Sequence, residues 1–319
     1  MLELRLFMIH YLLLTLGYSV STRCCFVFLL SALSFAVQAQ PNPPIRVSDD
    51  LGREVVMNKP AERIVALAPY LVEMVYAVGA GDKLVGAVNY SDYPEAAKTV
   101  AQVGNYKDFS VEAILRLKPD LVLAWESGNG RERSLQLANF GIPVYVSEPK
   151  RLEDIGRVLE SIGRLSGAAG GVAAHQQFDQ ALGDLRKQFS RKAPVSVFYQ
   201  IWNQPLQTLN GDHIISDVMD LCGGYNIFEG AQTLAPKVGV ESVLRANPQV
   251  IITSGMGESR PDWLDAWYAW PQLQAVEQKQ LHFIPPDWIQ RHTPRILIGA
   301  RLMCEQLQGA RDRYHLGFE

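Results

Sequence analysis

The chain has no excess of either charge. Its 30 lysines and arginines face 33 aspartates and glutamates, a net charge of −3 over 319 residues. Nucleic-acid binders normally carry a basic stripe or run. No such run follows residue 45, so that class is set aside. Catalytic signatures are missing as well. There is no G-x-G-x-x-G behind a strand-like run, no P-loop, no G-x-S-x-G and no H-E-x-x-H. Histidine is scarce: beyond the N-terminal region it occurs at His175, His213, His282, His292 and His315, never at the spacing of a metal pair. A metal site built from His213, His282 and His292 would have to be gathered from distant segments. The expectation is therefore a chain with no catalytic residue, no metal and no cofactor. A two-lobed α/β enzyme stays open as a reading of another class.

Long hydrophobic runs are confined to the first 39 residues. "LFMIHYLLLTLGYSV" and "CCFVFLLSALSFAV" flank a short polar break, and each is shorter than the roughly 20 residues of a spanning helix. The second run ends in Val37-Gln38-Ala39, the small-residue pattern of a secretory cleavage site. Residues 1–39 are read as an export signal, cleaved near Ala39, with an over-long start. Cysteine is also scarce. Two of the four cysteines lie inside the apolar run, leaving Cys222 and Cys304. In an oxidising compartment an even count suggests a disulfide; two buried thiols are the alternative.

What remains is ordinary globular sequence, 48% hydrophobic and 20% charged over the whole chain, long enough for two cores. A polar, proline-containing lead (40–62) precedes short apolar runs alternating with helical patterns. "RIVALAP", "KLVGAV", "DLVLAW" and "PVYVSE" read as strands in the first half, "PVSVFYQIW", "QVIITS" and "LHFIPP" in the second. Near-continuous apolar strands separated by helices predict parallel sheets covered on both faces. Residues 151–166 and 172–190 read as amphipathic helices, the latter long enough to join two lobes. The predicted organisation is a lobe over 63–169, a linking helix within 170–192 and a second lobe over 193–319.

One helix–turn–strand is written twice. "SVEAILRLKPDLVLAW" from Ser110 and "GVESVLRANPQVIITS" from Gly239 share five of sixteen positions at an offset of 129 residues. Ser110 is a candidate N-cap. Shared apolar positions are common in α/β folds. A shared glutamate at the front, Glu112 and Glu241, is less so, although the helix dipole alone favours an acidic first turn. Aromatic residues gather where predicted strands end: Tyr90 in "NYSDYP", Tyr106 in "GNYKDF", Trp125, Trp202, and "DWIQRHTPR" with Asp287, Trp288 and Arg291. Ligands of open α/β sheets bind at the carboxyl ends of strands, and aromatic rings there offer flat apolar area. Asp287 and Arg291 could fix polar ligand groups or pair with each other.

"YSDYP", "LKPDLVLAW" with the following "GN-RE", "CGGYNIF" and "DWIQRHTPR" resemble, in order and spacing, the periplasmic vitamin B12-binding proteins of ABC-type importers. More broadly the chain resembles the substrate-binding proteins of siderophore, haem and cobalamin importers, over roughly residues 60–308. The resemblance implies an α/β fold of two Rossmann-like lobes joined by a single long helix, a class III periplasmic binding protein. It implies a monomeric, periplasmic, non-enzymatic carrier holding cobalamin (a corrinoid) between its lobes. Ligand contacts would fall on Tyr90, Tyr106, Trp125, Asp287, Trp288 and Arg291. Ala235 stands where a further tryptophan is expected, and Trp202 could compensate. Glu112 and Glu241 would dock to the ABC importer's permease dimer, and Cys222 would pair with Cys304. A ferric siderophore or haem on the same scaffold is the second reading.

Overall fold

The computed structural model describes residues 43–189, 192–255, 257 and 259–316. Residues 1–39, and with them the expected export signal, lie outside the described residues. The polar lead does more than connect. It forms a hairpin of β1 (Ile45–Ser48) and β2 (Glu54–Met57) whose Val47, Val55 and Met57 are buried. Alternation of buried and exposed positions in β2 gives the hairpin one apolar face, and that face joins the core.

The first lobe follows with β3 (Ile64–Ala66), α1 (Pro69–Ala77), β4 (Leu84–Ala87), α2 (Val111–Arg116), β5 (Leu121–Trp125), β6 (Val144–Ser147) and α3 (Leu152–Ser166). α4 (Gly170–Phe189) leads to the second lobe. That lobe holds β7 (Val195–Gln200), a small hairpin of β8 (Trp202–Asn203) and β9 (Leu206–Gln207), α5 (Ile214–Leu221) and β10 (Gly224–Asn226). α6 (Val240–Ala246), β11 (Val250–Thr253), β12 (Leu281–Phe283), α7 (Pro286–Ile289) and α8 (Ile296–Arg313) complete it.

Each lobe has one four-stranded parallel sheet. The orders are β4-β3-β5-β6 and β10-β7-β11-β12, with every neighbouring pair parallel. Setting the hairpin aside, both run second, first, third, fourth. The repeated segment is thus the third strand of each sheet with the helix before it. The two copies even stop their helices alike. Lys118 and Asn247, matched positions, both take left-handed backbone (φ 47° and 45°) directly before a proline. Ser110 caps α2 by accepting a hydrogen bond from the Ala113 N–H at 3.1 Å, whereas Gly239 offers α6 no side chain. β7 and β11 are buried along their whole length, as strands covered on both faces must be. "PVSVFYQIW" departs from its expected reading: the strand ends at Gln200, and Trp202 starts the separate hairpin.

The inner faces of both sheets share one continuous core, whereas each outer face has its own. The shared core runs along α3 and α4. α3 buries Leu152, Ile155, Val158, Leu159 and Ile162 on one stripe, each worth roughly 1.5–3 kcal/mol when fully buried. α4, 20 residues long and hence about 30 Å, adds Phe178, Leu182, Leu185 and Phe189. The two helices touch where glycines meet. A Cβ on Gly163 would lie 2.5 Å from the Cα of Gly171. In the second lobe Cys222, at the end of α5, is bonded to Cys304 of α8, closing 82 residues of sequence. A loop of that size is worth roughly 4 kcal/mol in the chain-entropy account. Among the described residues no helix is long and apolar enough to cross a membrane.

The Gly163 contact yields a prediction. Gly163→Ala overpacks the α3–α4 crossing, costing about 1–3 kcal/mol. Urea unfolding should show a lower midpoint with unchanged slope.

Candidate functional site

The carboxyl ends of the two sheets face each other across a cleft containing a cavity of about 420 Å³. From the first lobe Trp125, Glu126, Ser127 and Glu148 to Lys150 line it; from the second, Asn210, Asp212 to Ile214, Gln232, Leu234 and His292. In an open α/β sheet ligands sit where the strand order reverses, here between β3 and β5. Trp125 ends β5 at that point, and Tyr70 opens α1 just after β3.

Trp125 is held by its own neighbourhood. Its backbone N–H donates to Asn129 Oδ1 at 2.6 Å, and Asn129 Nδ2 donates to the carbonyls of Leu67 (2.8 Å) and Tyr106 (2.6 Å). One buried amide thus ties the segments after β3 and β5 to the Tyr106 loop. The indole lies over Gly128, where a Cβ would meet ring atom Cε3 at 1.9 Å, so only glycine fits beneath the ring. Tyr106 packs on Trp125 with ring centroids 5.7 Å apart; Tyr70 meets it edge-on at 6.0 Å. From the other lobe His292 closes on both, 5.2 Å from Tyr70 and 6.3 Å from Trp125, and His213 stands 6.1 Å behind it. The wall is aromatic across both lobes. Its free polar atoms are few: Trp125 Nε1 and His292 Nδ1 are buried without a partner, a costly state that a polar ligand group could relieve.

The histidines are neutral. Burial, with His292 beside it, pushes His213 down to about 3; burial alone pushes His292 down to about 4. His213 Nδ1 accepts the Ile215 N–H at 3.1 Å, capping α5. A neutral ring accepting through Nδ1 carries its proton on Nε2, so it presents a donor and not a metal-binding lone pair. His282 pairs with Gln280 on the strand edge. Among the described residues no three His, Cys, Asp or Glu side chains are grouped to hold a metal ion.

A second cluster crosses the lobes. Arg291 Nη1 donates to Glu73 Oε1 at 2.8 Å, Nη2 to Asp92 Oδ1 at 3.0 Å and to the Tyr90 carbonyl at 3.3 Å, while Nε lies 3.0 Å from Asp287 Oδ1. Arg295 Nη1 donates to the same Glu73 oxygen at 3.2 Å, and its guanidinium lies 4.0 Å from the Tyr93 ring centroid. Burial raises the Glu73 carboxyl against the pull of Arg295 and Arg291. Burial opposes the charge on Arg291, but Asp287 and Glu73 more than offset it and raise its pKa. Asp287 and Arg291 therefore do pair with each other, within a larger network.

The expected ligand residues are unevenly distributed. Trp125 lines the cavity. Tyr106 supports it. Tyr90 stands at the rim, 77% exposed, with φ 65°, a left-handed conformation costing a bulky residue roughly 1–2 kcal/mol. Asp287 and Arg291 reach Tyr90 through the charge network. Trp202 spends its indole N–H on the Gln204 carbonyl at 2.9 Å, within its own hairpin. Trp288 is half-buried on α7, and its carbonyl packs against Gly299 of α8. Sequence reasoning passed over Glu73, Tyr70 and Asn129, and weighed His213 and His292 only as members of a metal site with His282. The one available signal was the clustering of Asn129 and His292 within the quoted motifs "GN-RE" and "DWIQRHTPR". Glu112 and Glu241 are exposed in the first turns of α2 and α6.

Two parallel α/β lobes joined by one helix, with a ligand-sized aromatic cleft between their strand ends, are the build of a solute-binding protein. The chain belongs to the periplasmic binding protein family, whose model matches residues 64–288. Among its relatives, the vitamin B12-binding protein of Vibrio cholerae is 40% identical over 256 residues, 80% of this chain and 92% of the relative. That of Yersinia pestis is 40% identical over 250 residues, 77% and 86% of the two chains. The crystal structure of the periplasmic vitamin B12-binding protein of Vibrio cholerae superposes with a TM-score of 0.74 at 39% identity, covering 79% of this chain and 98% of that one. A periplasmic haem-binding protein from Roseiflexus shares the fold at 20% identity and a TM-score of 0.67.

The buried histidines generate a pH prediction. The unfolded chain takes up protons on them below about pH 6.5, whereas the folded chain refuses them until about pH 4 and 3. Their contribution to stability is complete above the unfolded value and falls as the pH drops toward 4. His213→Asn keeps an N-cap acceptor and removes one titration. Denaturant unfolding from pH 7 to 4 should show a shallower acid loss in the variant than in the parent.

Proposed function

We propose that this chain is exported, captures a corrinoid such as cobalamin between its lobes, and delivers it to the permease of an ABC importer. The observation that carries this reading is the wall of Trp125, Tyr106, Tyr70 and His292 at the switch point of the cleft. It is supported by the 40% identity to vitamin B12-binding proteins over most of the chain. A large, nearly neutral macrocycle is bound chiefly by burying apolar area against flat side chains, with a few polar groups choosing its orientation. Trp125 and Tyr106 form one wall. Tyr90, Asp287, Trp288 and Arg291 form the rim, and Trp202 flanks the second lobe. A corrinoid overfills the cavity, so part of it lies along this rim. Residues 1–39 serve as the export signal, and the mature protein works as a periplasmic monomer.

Titration of the purified protein with cyanocobalamin, followed by calorimetry and by the corrinoid absorption bands, tests the assignment. Haem and a ferric hydroxamate serve as competitors. Trp125→Ala should weaken cyanocobalamin by about tenfold or more, a loss of at least about 1.4 kcal/mol, with little change in melting temperature. Equal affinity in the variant would remove Trp125 from the site, and preferential haem or siderophore binding would replace the corrinoid.

Glu112 and Glu241 are read as the docking pair. They are exposed and occupy matched places on two lobes of the same topology, which suits a two-fold partner. Changing both to alanine should abolish corrinoid uptake by cells while leaving affinity in solution intact. Uptake at the parental rate would reduce them to helix-start residues.

A further inference from the structure

The loop after β4 belongs to the first lobe but is held by the second. Arg291 donates to the Tyr90 carbonyl and to Asp92, and Arg295 covers the ring of Tyr93. Tyr90 itself sits in a left-handed backbone conformation, which a bulky residue keeps only where its surroundings impose it. Both arginines in turn rest on one oxygen of Glu73, a first-lobe carboxylate only 4% exposed. All three guanidinium nitrogens of Arg291 are engaged with protein groups. The chain of contacts runs from the buried Glu73 out to Arg291 and Arg295 of the other lobe. From there it returns to Tyr90, Asp92 and Tyr93 at the cleft rim.

We propose that Glu73 is the positioning residue of the cleft rim, aiming Arg291 and Arg295 so that they fix Tyr90 where an entering ligand meets it. The proposal rests on the reading of this cleft as a corrinoid site. A guanidinium in water would rotate freely and pair indifferently. A buried carboxylate beneath it fixes the fork in one orientation. Arg291 then acts on the ligand through the Tyr90 loop, and Glu73 acts through Arg291. Glu73 has no other exposed surface on which to work, since it is shut from solvent beneath both cations.

Chymotryptic cleavage after Tyr90 reads this directly. A protease needs an extended, mobile segment, and the left-handed Tyr90 held by Arg291 resists it. Phe140, Tyr225 and Tyr268, also exposed, serve as control sites in the same digest. Glu73→Gln keeps the side chain's size and removes its charge. Arg291→Lys keeps the charge and loses the fork. Both variants should raise the cleavage rate after Tyr90 about tenfold or more with the control sites unchanged, and weaken cyanocobalamin by a similar factor. Unchanged cleavage at Tyr90, or an equal rise at every site, would overturn the proposal and leave Glu73 a stabilising residue only. If Glu73→Gln fails to fold, Arg291→Lys decides by the same outcomes. If the parent protein takes no cyanocobalamin, the functional reading fails, and the digest still decides what Glu73 does.

Discussion

A carboxylate shut away from water, with two guanidinium groups of the opposite lobe resting on one of its oxygens, is the contact on which the cleft depends. Glu73 alone would be intolerable where it sits; so would Arg291 and Arg295 at their low exposure. Together they hold one another, and removing either side of such a pair typically costs about 3–5 kcal/mol. Because the partners come from different lobes, the pair exists only in one relative placement of the two sheets. A second crossing reinforces it on the far flank. Asp217 of α5 accepts from Arg151 at 3.0 Å and from the Leu152 N–H at 2.8 Å, capping α3 of the other lobe.

These polar crossings act on a frame that is already joined. The core along α3 and α4 passes from one sheet to the other without a break. An apolar core shared between lobes resists hinge opening, since opening would return that surface to water. Two rigid lobes with a continuous inner core and buried ion pairs at the cleft suit a protein that adjusts slightly around its cargo. They do not suit one that swings wide.

The lobes are alike in path and different in furnishing. Both sheets run in the same strand order, and the third unit of each begins with an exposed glutamate. At its end the first copy carries Trp125, cradled over Gly128. The second carries Ser254, whose hydroxyl takes a hydrogen bond from Gln290. The helix starts are therefore alike and the strand ends are not: Glu112 and Glu241 occupy matched, exposed positions, whereas Trp125 is matched by Ser254.

The fold was legible in the sequence because its causes are local. Buried strands write continuous apolar runs, α3 writes a 3.6-residue stripe, and the repeat announces itself in Val111-Glu112 and Val240-Glu241. The place of Trp125 on the cavity wall was legible too, since strand ends in such sheets border the cleft. Cys222 and Cys304 were a pair by count; the structure bonded them. What the sequence could not display was partnership across distance. Glu73 reads as one more residue of an apolar helix, and nothing near it in the chain reveals two arginines more than 200 positions away. His292 reads in the sequence only as one distant member of a possible metal trio, until burial beside Tyr70 and Trp125 strips it of charge. Trp202 looked like a strand end and proved to start a hairpin. Periodicity and local propensity determined the lobes by themselves. Which buried charges met, and which rings faced the cleft, was decided only when the lobes closed on each other, because desolvation and ion pairing depend on neighbours that only the folded chain supplies.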